Sequence, residues 1–138
     1  MTIFETEQDK IREKKAIETF VSIFKGSFKK LDQLDVDFKV FDKENNLIAY
    51  AEVKGRNRTM RDAYPLPLSA EKLVKLLAKK MTPVVVWACE DGIIYAKADK
   101  LTGTIKPGGR KPREGAFSDR EMMVYYEKQK GFKYVRFE

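Results

Sequence analysis

Residues 37–54, DFKVFDKENNLIAYAEVK, constrain the fold more than any other stretch. Two runs rich in Val, Phe, Ile and Tyr flank the polar turn Lys43-Glu44-Asn45-Asn46, and such runs around such a turn read as a β-hairpin. Folding at that turn brings the two ends together. Asp37, which opens the first strand, is therefore expected beside Glu52-Val53-Lys54, which close the second. Side chains alternate along a strand, so Glu52 and Lys54 share one face while Val53 points to the other, towards the core. Two carboxylates facing each other in a half-buried setting repel, and each raises the other's pKa unless a cation sits between them. Mg²⁺ suits that gap, because it takes hard oxygen ligands, keeps several waters and shares its shell with phosphate oxygens. Lys54 alongside would hold the attacking water or the phosphate and offset negative charge in the transition state. The plainer alternative is an exposed strand whose Glu and Lys form cross-strand charge pairs.

The rest of the chain supplies a setting for that hairpin. From about Phe4 to Phe24, Ile11, Ala16, Ile17, Phe20, Val21 and Phe24 recur at threes and fours, which predicts an amphipathic helix ended by Gly26. GRNRTMRDAYPLP reads as a basic loop, after which Ser69 caps a helix, AEKLVKLLAKK, with an apolar stripe of Leu73, Leu76 and Leu77. VVVWAC and GIIYAKA, separated by Glu90-Asp91-Gly92, predict a second hairpin near the sheet centre. LTGTIKPGGRKPREGAFSD reads as a long surface loop, and MMVYYEK and FKYVRFE as short closing strands around Lys130-Gly131.

Composition then narrows the chemistry. The chain has no histidine, which excludes His-built zinc sites, His-activated nucleophiles and histidine acid/base pairs. Its one cysteine, Cys89, lies in an apolar run and reads as a small buried hydrophobe. A net charge of +7 favours a polyanionic partner. No apolar run reaches the length of a membrane span, and the charged start lacks the pattern of a secretory signal, so a soluble, cytoplasmic protein is expected.

DVDFKV and AEVKGR together resemble the Asp and Glu-x-Lys signature of the PD-(D/E)XK phosphodiesterase superfamily. Asp37, Glu52 and Lys54 match its catalytic positions, with Val36 standing where the name has proline. The resemblance implies an α/β fold with a restriction-endonuclease-like αββαββ core, a central mixed sheet flanked by helices, and one nuclease-like domain over residues 1–138. It implies a metal-dependent endonuclease acting on nucleic acid, DNA before RNA, with Mg²⁺, or Mn²⁺ in its place, on Asp37, Glu52 and the Val53 carbonyl. The alternative is a catalytically inactive nucleic-acid-binding module of the same fold. The tail TGTIKPGGRKPREGAFSDREMMVYY resembles that of small phage-type members, which implies the host cytoplasm; a homodimer is compatible, since one site cuts one strand.

Superfamily members often add a glutamate from the first helix. Glu13 falls within the stripe of Ile17, Phe20 and Phe24, whereas Glu7 and Glu18 fall opposite, so Glu13 is expected at the metal or, failing that, paired with a surface cation. The superfamily also often places polar or basic groups of the second helix near the scissile phosphate, which points to Lys72 and to Ser69, although capping alone accounts for the serine. Arg56, Arg58 and Arg61, together with Lys106, Arg110, Lys111 and Arg113 of the late glycine-rich stretch, are expected on the nucleic-acid backbone.

Overall fold

The structure is a computed structural model that describes residues 7–32, 35–109 and 120–138. Helix α1, Glu7–Ser22, starts with Glu7 and Asp9, acids that complement the positive end of its dipole, and buries Ala16, Ile17, Phe20 and Val21. It ends where the Gly26 N–H donates to the Val21 carbonyl at 2.9 Å. The left-handed residue there is Lys25, at φ 58°. Gly26 is required for a different reason, because a Cβ on it would lie 2.2 Å from the Phe41 carbonyl oxygen.

The strands are β1 Ser27–Lys30, β2 Phe38–Phe41, β3 Leu47–Gly55, β4 Leu66–Ser69, β5 Thr82–Ala88, β6 Gly92–Lys97, β7 Thr104–Gly109, β8 Arg120–Tyr126 and β9 Lys133–Arg136, with helix α2, Ala70–Leu77, between β4 and β5. One sheet runs β1-β2-β3-β5-β6-β9, and a smaller one runs β4-β8-β7. The large sheet is mixed, since β3 and β5 pair in parallel and its other neighbours are antiparallel. Helix α1 covers one face through Ala16, Ile17, Phe20 and Val21 against Val40, Ala51, Val53, Val86 and Ile93. The other face carries Val85, Trp87, Ile94 and Ala96 into a core completed by Leu66, Leu68, Leu76, Val124 and Tyr126. Val84 through Cys89 are buried because both sides are covered, and a strand buried on two faces loses its polar alternation.

The order α1, β2, β3, α2, β5, β6 is the expected αββαββ core of a restriction-endonuclease-like fold. Three additions depart from the sequence expectation. Strand β1 is a polar edge strand, SFKK, and gives almost no apolar signal. Strand β4 begins in the stretch expected to be a basic loop and runs on to the expected cap Ser69, strand β7 lies inside the late stretch expected to be a loop, and the two contain Pro67 and Pro107. Both are outer strands of the small sheet, the place where a residue without an N–H is tolerated. The two closing strands also part company: β8 joins the small sheet, whereas β9 extends the large one beside β6.

Helix α2 is shorter than expected, and of its predicted stripe Leu76 is buried while Leu77 is 44 % exposed. Ser69 caps it, its hydroxyl accepting from the Lys72 N–H at 3.5 Å and donating to Glu121 Oε2 at 3.2 Å. Ser69→Ala should therefore cost about 1 kcal/mol, read as a lower urea midpoint with an unchanged slope. Among the described residues no helix is long and apolar enough to cross a membrane.

Candidate active site

The hairpin register pairs Phe38 with Ala51, which brings Asp37 level with Glu52 at the next position. Residues so opposed carry their side chains on the same face, with Cβ atoms about 5 Å apart. The Val53 N–H donates to Asp37 Oδ2 at 2.8 Å, so the main chain between Glu52 and Lys54 orients the first carboxylate. Val53 itself packs under α1, leaving Glu52 and Lys54 on the opposite face. Glu52 is only 5 % exposed, whereas Asp37 is half-buried and Lys54 exposed. From the first turn of α2, Lys72 reaches to 4.0 Å between its Nζ and Glu52 Oε2.

Burial, first, and the negative charge of Asp37, second, push the Glu52 carboxyl from its ordinary 4.5 up to about 8, while Lys72 pulls the other way. Neither carboxylate can donate to the other unless one holds a proton, which also favours protonated Glu52. Among the described residues Glu52 Oε1 is buried with no hydrogen-bond partner. Burying an ionised oxygen without a donor is costly, so the pair calls for a cation. Two hard carboxylate oxygens suit a divalent ion that completes its shell with water and substrate. Among the described residues no group of three or more acidic or cysteine side chains is placed to hold a metal.

Glu13 is not drawn into such a group. Helix α1, which carries half-buried Glu13, lies on the face of the sheet that carries Val53, opposite Glu52. Arg56 has a structural task as well. Its Nε donates to the Ala63 carbonyl at 2.9 Å and its Nη2 to the Pro65 carbonyl at 3.3 Å, so its guanidinium holds the loop that follows β3. Burial and neighbouring Arg58 lower its pKa.

Arg58 is exposed, and its carbonyl accepts from the Glu90 N–H at 2.9 Å. Arg61 is exposed in a short 3₁₀ turn, Met60–Asp62, and lies in a groove with Tyr64 and Tyr134. Lys106 is exposed on β7, 4.9 Å over the Tyr125 ring. Arg110, Lys111 and Arg113 lie outside the described residues. Trp87 is wholly buried and donates to the Pro67 carbonyl at 2.7 Å; Cys89 is also buried, its thiol pushed up to about 12.

Sequence reasoning missed one contact beside the pair. Lys79, just past α2, sits 2.7 Å from Asp35 Oδ1 and 5.1 Å over the Tyr50 ring, fastening the approach to Asp37. The hydrogen bond from Lys79 holds the Asp35 carboxyl below its ordinary range. The repeated acid in DVD was the available signal, but its partner lies on another element.

A family model described as "Phage putative PDDEXK endonuclease" matches residues 2–135 of the chain. No curated protein and no solved structure matches it. PD-(D/E)XK nucleases generally use divalent metals.

Proposed function

The chain belongs to this phage PD-(D/E)XK endonuclease family, and from that premise we propose that it hydrolyses phosphodiester bonds of DNA with Mg²⁺ held by Asp37, Glu52 and the Val53 carbonyl. The observation that carries the reading is the buried oxygen of Glu52, without a hydrogen-bond partner among the described residues, opposite an Asp37 already oriented by the Val53 N–H. When bound, the ion would neutralise charge on the phosphate and acidify a water.

The chain's own groups then have separable tasks. Asp37 and Glu52 hold the charge that makes the site selective for a divalent cation. Lys54, on the face of Glu52, orients the attacking water or a phosphate oxygen and offsets the charge that builds up on phosphorus. Lys72, near Glu52, tempers the repulsion between the two carboxylates and can meet a phosphate oxygen from the other side. Water adds across one P–O bond, leaving a phosphate monoester on one end and a hydroxyl, reprotonated from solvent, on the other.

Purified protein should introduce internal cuts into circular plasmid DNA with Mg²⁺ or Mn²⁺, and EDTA should stop them. The same assay on linear duplex, single-stranded DNA and RNA ranks the substrates. Salt-sensitive binding indifferent to Mg²⁺, with no cutting of any substrate, would instead establish an inactive binding module of the same fold.

A further inference from the structure

Arg61, Lys128 and Arg136 border an open groove of about 480 Å³ whose other walls are Met60, Tyr64 and Tyr134. Strand register places it relative to the carboxylates. Lys54 pairs with Trp87, Trp87 with Ile94 and Ile94 with Tyr134, so Tyr134 ends a cross-strand row that begins at Lys54, on the face of Glu52. With strands about 4.8 Å apart, Tyr134 lies roughly 14 Å from Lys54 across the sheet. Trp87 and Ile94, between them, are fully buried. The groove is thus a separate place on the same side of the molecule.

Its chemistry is basic and aromatic. Arg136 is 77 % exposed and only loosely engaged by Asp91, at 3.6 Å. Arg61 and Lys128 have no ion-pair or hydrogen-bond partner among the described residues. The Tyr64 and Tyr134 hydroxyls are hydrogen-bonded to each other, and the Tyr64 ring packs edge-on against Phe132 with centroids 5.5 Å apart. Tyr134, anchored in this way, is still 44 % exposed. Cations at this density hold phosphates without reading sequence, and an exposed ring is a platform for a base. A base can stack on a tyrosine only when its own face is free, as it is in a single strand.

We propose that this groove holds one nucleotide of a single-stranded flank of the substrate, its phosphate against Arg61, Lys128 and Arg136 and its base on Tyr134. The proposal rests on the nuclease reading above for its place in the reaction. The test is fluorescence anisotropy of the full chain, without divalent ions, on labelled oligothymidylate, oligouridylate and a DNA duplex of equal length. Tighter binding of either single strand than of duplex is expected. Tyr134→Leu should weaken it about tenfold, whereas Tyr134→Phe, which keeps the ring and loses only the hydroxyl, should bind as the wild type does. Arg61→Ala and Lys128→Ala should each flatten the salt dependence by about 0.7 in log–log slope. Thermal melts verify that each variant is folded.

Unchanged binding by folded Tyr134→Leu, equal damage from the Phe and Leu changes, or equal competition by inorganic polyphosphate would overturn the proposal. Cleavage assays keep the two readings apart. A wild type that binds a strand through Tyr134 yet cuts nothing retains the groove and loses the nuclease. Cutting in which Tyr134→Leu leaves the KM for single strands unchanged loses the groove and retains the nuclease.

Discussion

Glu52→Gln is expected to abolish Mg²⁺-dependent cutting while making the metal-free protein more stable, two effects that seldom accompany one substitution. The sign of the second follows from the raised carboxyl. Below its ordinary value of 4.5, Glu52 is protonated whether the chain is folded or not, and the fold bears no charge penalty. As pH rises from 4.5 to about 8, the unfolded chain gives up the proton and the folded one keeps it, so wild-type stability falls. Above that window the penalty is constant, at roughly 2–5 kcal/mol. Glutamine carries no charge, so the variant's advantage should be absent at pH 4, grow through neutrality and level off beyond pH 8. Urea unfolding at a series of pH values in EDTA reads it directly. Saturating Mg²⁺ should reverse the order, since an ion that binds only the folded wild type stabilises it by mass action. Loss of one ligand should lower the cutting rate at least about 10²–10³-fold. A variant no more stable than the wild type at pH 8 would contradict the burden assigned to this buried carboxylate.

Lys54→Ala should do the opposite to the fold, namely almost nothing. The side chain is exposed and has no ion-pair or hydrogen-bond partner among the described residues, so its removal should shift stability by less than about 0.5 kcal/mol. Cutting should nevertheless fall about 10²–10³-fold, because an ammonium aimed at charge that appears only in the transition state acts on the chemical step. Steady-state kinetics over a range of substrate concentrations check this: kcat drops and KM hardly moves. A variant with normal kcat would transfer the role to Lys72, a second cation near Glu52.

The site's centre was legible because a hairpin is a local object. Alternation along 38–41 and 47–55, with a polar turn between, sets which residues face each other, and Asp37 and Glu52 follow from counting. Strand order is not local, and there the reading stopped. MMVYYEK and FKYVRFE look like partners because they are adjacent, yet each finds a better-matched apolar neighbour elsewhere, β8 against Leu66 and Leu68 and β9 against β6. Arg56 shows the same limit at a single side chain. An arginine following an acidic strand looks like a phosphate ligand, and only the path of the loop back over it reveals the two carbonyls that its Nε and Nη2 also hold. The fastening of Asp35 by Lys79 joins residues far apart in the chain and has no sequence period to announce it.

The small sheet has a further property that follows from its two prolines. Pro107 interrupts the outer strand β7, so a stranger's β-segment approaching that flank meets a missing donor, while on the other flank the Pro67 carbonyl of β4 is already taken by the Trp87 indole of the same chain. The broad sheet is guarded by charge instead, with Lys29 and Lys30 on one border and Lys133 and Arg136 on the other. A protein carrying this many strands would otherwise invite self-adhesion along its rims, and here each rim bears its own deterrent.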